Sequence, residues 1–236
     1  MEKRLLKITN ETNLEKIKEV TIFLLQFSIR ICDDGSVEHP IFNSKTVYYK
    51  DRAYNLLEPA ELQFILNVYK NLILSKRIAL DCLNFIRKDY RLTFLKYAKP
   101  YLSANDFARF LGDVWTFGEN VNTDANVPIS EVARWFRNSD KRQLMLSSEY
   151  IAYTSLPEYF LVYRGVAPGH NQNGMSWTRE LDIAEQFANN KKNGYILSGI
   201  ARAKDVLAFF DRREEEEIVV EAKKVKLKRR IASQFI

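Results

Sequence analysis

The sequence has few of the residues that build common catalytic and metal sites, with two cysteines and two histidines among 236 residues. Cys32 and Cys82 lie in unrelated segments, so they form neither a metal-ligand spacing nor a redox pair. A serine–histidine triad would have to use His39 or His170, and no nucleophile-elbow motif supplies the serine. We therefore expect no metal site and no serine-hydrolase chemistry. The cysteine usage favours a reducing, intracellular compartment.

Long hydrophobic runs are also missing. No segment approaches the roughly 18 consecutive apolar residues of a membrane-spanning helix. The first residues, MEKRLLKITNETNLEKIKEV, carry acids and amides where a secretory signal needs an apolar stretch. The phosphate-loop pattern and the glycine-rich dinucleotide fingerprint are absent as well. These absences predict a cytoplasmic protein without a membrane partner and disfavour several common classes of nucleotide enzyme.

Positive charge is concentrated at the C-terminal end of the chain. The net charge is +6. From Glu221 onward, six basic residues face one acid, so this segment alone contributes +5 and the remainder is close to neutral. KVKLKRRI alternates lysine with apolar residues, which is typical of a solvated edge strand. A contact with nucleic acid is the alternative interpretation.

The hydrophobic periodicity predicts an α+β fold, with helices first and strands last. We expect a helical N-terminal region over 1–100 and a second domain over 101–236 that begins with a helical lobe, 101–156. Helices are predicted over 13–30, 58–74, 76–98, 103–115, 128–138 and 179–190, and a short hairpin is predicted within 43–57. Strands are predicted over 158–166, 194–201, 205–210, 217–222 and 224–231, with a further short segment, MSWT, before the last helix.

Three features of the strand-rich part point to one site. Arg164 interrupts an otherwise apolar strand, LVYRGV, where a guanidinium needs an anion or a ring of acceptors. Ser176 and Thr178 place hydroxyl groups just before a helix. In FDRREEEEIVVEA, Phe210 to Ala222, four glutamates run directly into three β-branched residues. Taken one at a time, these features have ordinary structural explanations: an internal ion pair, a helix cap and a solvated acidic turn.

In order and context the three features resemble the arginine–serine–glutamate class of mono-ADP-ribosyltransferases. The matching segments are Tyr163-Arg164-Gly165 on the first strand, Ser176-Trp177-Thr178 at the second, and Glu215-Glu216-Glu217 before a late strand. The resemblance covers residues 159–228, and it departs from the family pattern at Trp177 and Thr178. It implies a core of two small facing sheets with NAD bound in the cleft between them.

The resemblance also implies roles for single residues. Glu217 is the catalytic glutamate that binds the nicotinamide ribose and stabilises a cationic transition state. Glu215 acts on the acceptor side, where glutamate accompanies modification of arginine. Arg164 anchors NAD, and Ser176 orients Glu217. Gly165, Tyr163 and Trp177 complete the expected cofactor contacts, and the alternative glutamate frame is Glu214 with Glu216.

Two side chains near the motifs have ordinary interpretations. Phe187 could offer aromatic surface to nicotinamide, but its helical spacing favours a place in the core. His170 lies in the segment PGHNQNG and is interpreted as a loop histidine rather than a base.

The predicted function is therefore transfer of ADP-ribose from NAD to a macromolecule, without a metal. The expected acceptor is an arginine of a protein, a host protein if the chain is a phage effector or an intracellular toxin, and nucleic acid is a further possible acceptor. One alternative is an NAD glycohydrolase that uses the same site. The other is a non-catalytic module in which basic and aromatic residues of 76–101 bind a partner or nucleic acid.

Overall fold

The computed structural model describes residues 11–118, 124, 126–189 and 193–232. The chain forms two compact units, one of Met1–Phe110 with Phe117–Val127 and one of Leu111–Thr116 with Pro128–Ile236. The predicted break at residue 100 thus differs from the division between the units, which falls inside helix α5, Ala104–Phe117. Residues Leu111–Thr116 of that helix belong to the second unit. Because the division falls within a helix, no linker sequence marks it.

The first unit packs helix α1, Leu14–Leu25, against further helices and two hairpins. Its side-chain N-cap is Asn13, which accepts a hydrogen bond from the Lys16 backbone N–H. The other elements are α2 (Pro59–Leu74), α3 (Ala79–Leu83), α4 (Arg91–Ala98), β1 (Arg30–Ile31), β2 (Val37–Glu38), β3 (Thr46–Tyr49) and β4 (Arg52–Asn55). The predicted hairpin is confirmed, because β3 pairs with β4 in antiparallel register.

The single helix predicted over 76–98 is wrong. The structure has α3, then a 3₁₀ turn over Lys88–Tyr90, then α4. Arg87 explains the break, because its backbone is extended at ψ 147° and its N–H donates to the Pro40 carbonyl at 2.8 Å. Its guanidinium also donates to the Val37 carbonyl at 2.6 Å. These contacts with distant residues outweigh the local helical pattern.

The second unit begins with helices and ends with a sheet. Its helices include α6 (Ile129–Asn138), α7 (Lys141–Leu144), α8 (Ser147–Thr154) and α9 (Leu181–Asn189). Its strands are β5 (Tyr159–Val166), β6 (Ser176–Thr178), β7 (Tyr195–Arg202), β8 (Ala208–Phe210), β9 (Glu217–Val219) and β10 (Lys226–Ala232). The predicted strands are all present, whereas α7 and α8 were not predicted.

The strands form one connected antiparallel sheet in the order β10-β7-β5-β6-β9-β8. A long ladder joins β5 to β7, but a single pair, Tyr163 with Thr178, joins β5 to β6. The sheet therefore consists of two three-stranded halves linked at one point. The α+β class is confirmed. The prediction of two small facing sheets differs from the structure in that the two halves belong to one connected sheet.

The basic C-terminal segment forms an edge strand, as predicted. β10 lies at one end of the sheet and pairs only with β7 among the strands that the structure describes. The register shifts between Leu227 and Arg229, and residues 226–230 are exposed. A bulge and a row of charged side chains both discourage further strand pairing at a sheet edge.

Candidate functional site

Glu217 is the first residue of β9, and the sheet fixes its backbone on both sides. It pairs with Thr178 of β6 and with Phe210 of β8. Its carboxylate oxygen Oε1 accepts two hydrogen bonds, one from the Ser176 hydroxyl and one from the Trp115 indole N–H at 2.9 Å. Both donors are electrically neutral. The glutamate is thus held firmly in place, and none of the cationic side chains in the described ranges is bonded to it.

The surroundings of Glu217 oppose its ionisation. Burial raises the pKa of the Glu217 carboxyl from 4.5 to about 7. The Trp115 hydrogen bond lowers this pKa, the neighbouring Glu215 carboxylate raises it, and Arg213 and Arg164 lower it by smaller amounts. A carboxylate that ionises near neutral pH in a folded protein is a candidate functional group.

Arg164 joins the same cluster through the backbone. Its Nη1 donates to the Ser176 carbonyl at 2.6 Å and its Nη2 to the Asn171 carbonyl at 2.9 Å. A Cβ on Gly174 would lie 2.3 Å from Nη2, so glycine is required for this close approach. Within the described part of the chain Arg164 forms no ion pair, and its buried Nε has no hydrogen-bond partner. The guanidinium therefore has a ring of acceptors, and the simple ion-pair explanation fails.

The glutamate turn is fixed from behind by a buried charge cluster. Arg212 donates from Nε to Glu149 at 3.3 Å and forms an ion pair with Asp113. Glu149 is 2% exposed and also accepts the backbone N–H of Asp211 at 3.0 Å. Opposite charges and a backbone donor together satisfy these buried groups. The cluster holds the chain at the point where β8 enters the turn.

The turn itself adopts an unusual backbone. Glu214 and Glu216 have φ values of 59° and 41°, in the left-handed region that favours glycine. The Glu216 N–H donates to the Asp211 carboxylate at 3.1 Å, and the Thr178 hydroxyl donates to the Glu215 carbonyl at 2.7 Å. These bonds offset the local strain. Glu214 and Glu216 thus have left-handed backbones, whereas Glu215 and Glu217 do not.

Glu215 has a cationic partner. Arg213 donates to its Oε1 from Nε at 3.0 Å and from Nη2 at 2.5 Å. The side chains of Arg213 and Glu215 are 38% and 20% exposed. Glu216 forms a different pair, with Arg179 at 3.3 Å. The two carboxylates predicted to act together therefore differ, because only Glu215 is bonded directly to a cation.

Other predicted cofactor residues lie outside the hydrogen-bonded cluster. Tyr163 neighbours Arg164 on β5 and packs with Ala184, Ala188 and Ile196. A Cβ on Gly165 would lie 2.0 Å from the Ala184 carbonyl, so this glycine permits close packing of α9. Both residues therefore have a structural reason to be where they are.

Three further predictions concern α9 and the loop before it. Phe187 is 42% exposed, so its assignment to the core is wrong: it lies on the solvent side of α9, whose alanines face the sheet. α9 begins at Leu181, later than a Thr178 N-cap would give, although the Thr178 hydroxyl accepts the Glu180 N–H at 2.9 Å. His170 is exposed in its loop, in agreement with the prediction.

The site includes residues that the motifs did not reveal. Trp115 reaches Glu217 across 102 positions of sequence, and Glu149 reaches Arg212 across 63. Trp115 ends an amphipathic helical pattern and carries no local signal of a polar role. The only sequence hint for Arg212 and Arg213 was two arginines directly before an acidic run.

A cavity of about 700 Å³ lies beside the cluster. It is lined by Met175 and Trp177, which flank Ser176, and by Gln172 and Asn173 from the loop that Arg164 holds. Trp177 is 2% exposed, and its Nε1 has no hydrogen-bond partner in the described ranges. The volume of the cavity is in the range of small-molecule sites. Arg164, Ser176 and Glu217 are not among the residues that line this cavity. For Ser176 the reason is that adjacent residues of a strand point to opposite faces, and its neighbours Met175 and Trp177 face the cavity.

A second groove, of about 620 Å³, is strongly basic. Its lining includes Tyr159 and five cations: Arg202, Lys223, Lys224, Lys226 and Lys228. Arg202 and Lys224 pair with Asp205, and Lys223 pairs with Glu221. Lys226 and Lys228 take part in no ion pair among the described residues, so the groove keeps net positive charge.

Comparisons with family models, with curated proteins and with solved structures found no match for this chain. Among the described residues, no group of three or more His, Cys, Asp and Glu side chains is placed to hold a metal ion. None of the helices in the described ranges has both the length and the apolar character needed to cross a membrane. The Arg164–Ser176–Glu217 cluster is the feature of the chain that points to a function.

Proposed function

We propose that this protein transfers ADP-ribose from NAD to a macromolecular acceptor and releases nicotinamide. One observation carries the proposal: a continuous chain of hydrogen bonds joins the three motifs in their order. Arg164 donates to the Ser176 carbonyl, and the Ser176 hydroxyl donates to the Glu217 carboxylate. Residues up to 53 positions apart in the sequence are thus linked through Ser176 to one carboxylate, as the resemblance to arginine–serine–glutamate transferases requires.

The chemistry follows from the charge that develops in the reaction. When the bond between nicotinamide and ribose breaks, positive charge builds up on the ribose ring. An ionised Glu217, bonded to the ribose 2′-hydroxyl, stabilises that charge in surroundings of low polarity, where electrostatic interactions are strong. The Ser176 and Trp115 donors fix the orientation of the carboxylate before the substrate arrives. Because they are neutral, they leave its negative charge available to the developing cation.

Arg164 contributes by positioning in this scheme. Its two bonds to carbonyl groups tie the loop over 171–176 to β5. That loop leads into Ser176, so Arg164 helps to fix the residue that donates to Glu217. In this scheme Arg164 anchors NAD by holding the loop in place, by contacting NAD directly, or by both.

The proposed acceptor is an arginine side chain of a protein. Glu215 lies two residues before Glu217, and it already binds a guanidinium group, that of Arg213. A carboxylate that binds one guanidinium can hold an incoming one and accept its proton. The basic groove supports nucleic acid as a second class of acceptor, because unpaired lysines beside an exposed Tyr159 suit a phosphate backbone and a base.

The test is incubation of the purified protein with labelled NAD and a cell lysate, with nicotinamide release measured in parallel. Label on protein with release of nicotinamide supports transfer to protein, and label on nucleic acid supports the second acceptor class. Free ADP-ribose alone would identify a glycohydrolase. Neither nicotinamide release nor label, together with tight binding to a partner, would refute the enzyme and favour a non-catalytic module.

A further inference from the structure

Arg213 has a defined position beside the glutamates of the site. It follows Arg212, which is held by Glu149 and Asp113, and it precedes the left-handed residue Glu214. Its own Nη1 donates to the Thr116 carbonyl at 3.2 Å. The backbone before it, the backbone after it and the guanidinium itself are all constrained. Arg213 is therefore a fixed part of the turn rather than a freely moving surface side chain.

The guanidinium of Arg213 is bonded to Glu215, the carboxylate to which the proposed function assigns the binding of the acceptor. Nε and Nη2 both donate to Glu215 Oε1, at 3.0 and 2.5 Å. With 38% of its side chain exposed, Arg213 is open to a bound substrate. Its charge also acts on the reactive carboxylate, since Arg213 lowers the pKa of Glu217. A guanidinium of this chain thus lies where an acceptor arginine would have to bind.

We propose that Arg213 is a modification site, the first acceptor of ADP-ribose from the neighbouring site in the same molecule. The inference rests on the proposed transferase function. Nη2 attacks the anomeric carbon of the nicotinamide ribose, the bond from that carbon to nicotinamide breaks, and nicotinamide leaves with the bonding electron pair. The attacking nitrogen loses one proton to Glu215, which passes it to water. The products are ADP-ribosyl-Arg213, nicotinamide and one proton.

Arg179 provides a matched control, because it lies beside the same turn. It pairs with Glu216 at 3.3 Å and its side chain is 40% exposed, close to the exposure of Arg213. Glu216 is not one of the two carboxylates assigned to the reaction. Arg179 therefore matches Arg213 in charge and exposure and also pairs with a glutamate of the turn, but it lacks the pairing with Glu215 on which the inference depends.

The experiment incubates the purified full chain with labelled NAD alone and maps the modified residue by mass spectrometry, with nicotinamide release measured in the same tubes. We expect one ADP-ribosyl group on Arg213 in the wild type and in Arg179→Lys. Arg213→Lys, which keeps a positive charge beside Glu215, should lose this label, and nicotinamide release measured for the same variant shows whether its site is still active. The rate constant for self-labelling should not change on tenfold dilution of the protein.

The outcomes separate the inference from the proposed function. Nicotinamide release without label on Arg213, or self-labelling that slows in proportion to dilution, would overturn the inference and leave the transferase or hydrolase intact. No nicotinamide release from any variant would overturn both. Label on Arg213 that survives in Glu215→Gln at the wild-type rate would also overturn it, because the step assigns the proton to Glu215.

Discussion

Two carboxylates in the second unit, the buried Glu149 and the half-buried Glu217, are held in opposite ways. Glu149 is bonded to the guanidinium of Arg212 and to backbone N–H groups of Asp211 and Leu146. Glu217 is bonded to the neutral hydroxyl of Ser176 and the neutral indole of Trp115. Both side chains are fixed by several bonds. They differ in whether a directly bonded cation balances the charge.

The difference separates a structural carboxylate from a functional one. A buried charge paired with a cation is stable and has little attraction left for a ligand. A buried charge held by neutral donors costs folding free energy and retains its attraction for a cation. The raised pKa of Glu217, about 7, is the measure of that cost. Glu149, by contrast, holds the start of the turn through Arg212 and the Asp211 N–H.

The largest effect is expected from removing the unbalanced charge. Glu217→Gln keeps the oxygen that accepts from Ser176 and Trp115 but loses the charge that stabilises the transition state. Nicotinamide release should fall by about a hundredfold or more. Glu214→Gln, the same substitution at an exposed position of the same turn, is the control and should keep its activity. Wild-type turnover in Glu217→Gln would remove the proposed function.

Glu215, which is bonded to Arg213, lies between the two extremes. We expect Glu215→Gln to lower transfer to an external acceptor by about a hundredfold, the scale of lost proton-transfer catalysis. Hydrolysis of NAD should persist, because Glu217 still stabilises the cation. Nicotinamide release and acceptor labelling, measured together, report the two activities. An equal loss of both would show that the two glutamates have no separate roles.

Stability should respond with opposite signs at the two carboxylates. Glu149→Gln leaves Arg212 with one anionic partner and should lower the free energy of unfolding by about 3 kcal/mol. Glu217→Gln removes a charge whose pKa is raised on folding, and should increase that free energy by about 1–2 kcal/mol at pH 8. The gain should vanish below pH 4.5, where the carboxyl is protonated in both states.

Chemical denaturation at pH 4 and pH 8 measures both changes. A loss of stability in Glu217→Gln at pH 8 would contradict the assignment of Glu217 as an uncompensated buried charge. A stable Glu149→Gln protein would show that the Arg212 cluster does not depend on this partner.

The smallest expected effect is a change in pH dependence. Turnover should rise with pH through about 7, as Glu217 ionises. The Trp115 hydrogen bond lowers the pKa of that carboxyl, so Trp115→Phe should move the profile to higher pH, by roughly half a unit to one unit. A merely structural role for Trp115 would reduce activity equally at every pH. Trp135→Phe is the control, because it removes another buried indole N–H of the same unit and should leave the pH profile in place.

The parts of the site that sequence could predict are those encoded locally. Arg164 inside an apolar strand, Ser176 before a helix and Glu217 at the start of IVV each have a pattern, and the structure brings all three together. Trp115 and Glu149 have no such pattern, because their roles depend on contacts across 102 and 63 positions. The failed helix over 76–98 has the same origin, since Arg87 bonds to Pro40 and Val37 rather than to its helical neighbours.

The single residue pair between the two halves of the sheet has a consequence for motion. Eight residue pairs join β5 to β7, whereas Tyr163 with Thr178 alone joins β5 to β6. Separating the halves at this point breaks few backbone hydrogen bonds, while Arg164 still spans the junction to the Ser176 carbonyl. Besides the Tyr163–Thr178 pair, the Arg164 side chain is thus a link between the two halves. Amide hydrogens of β6 should exchange with solvent faster than those of the β5–β7 ladder.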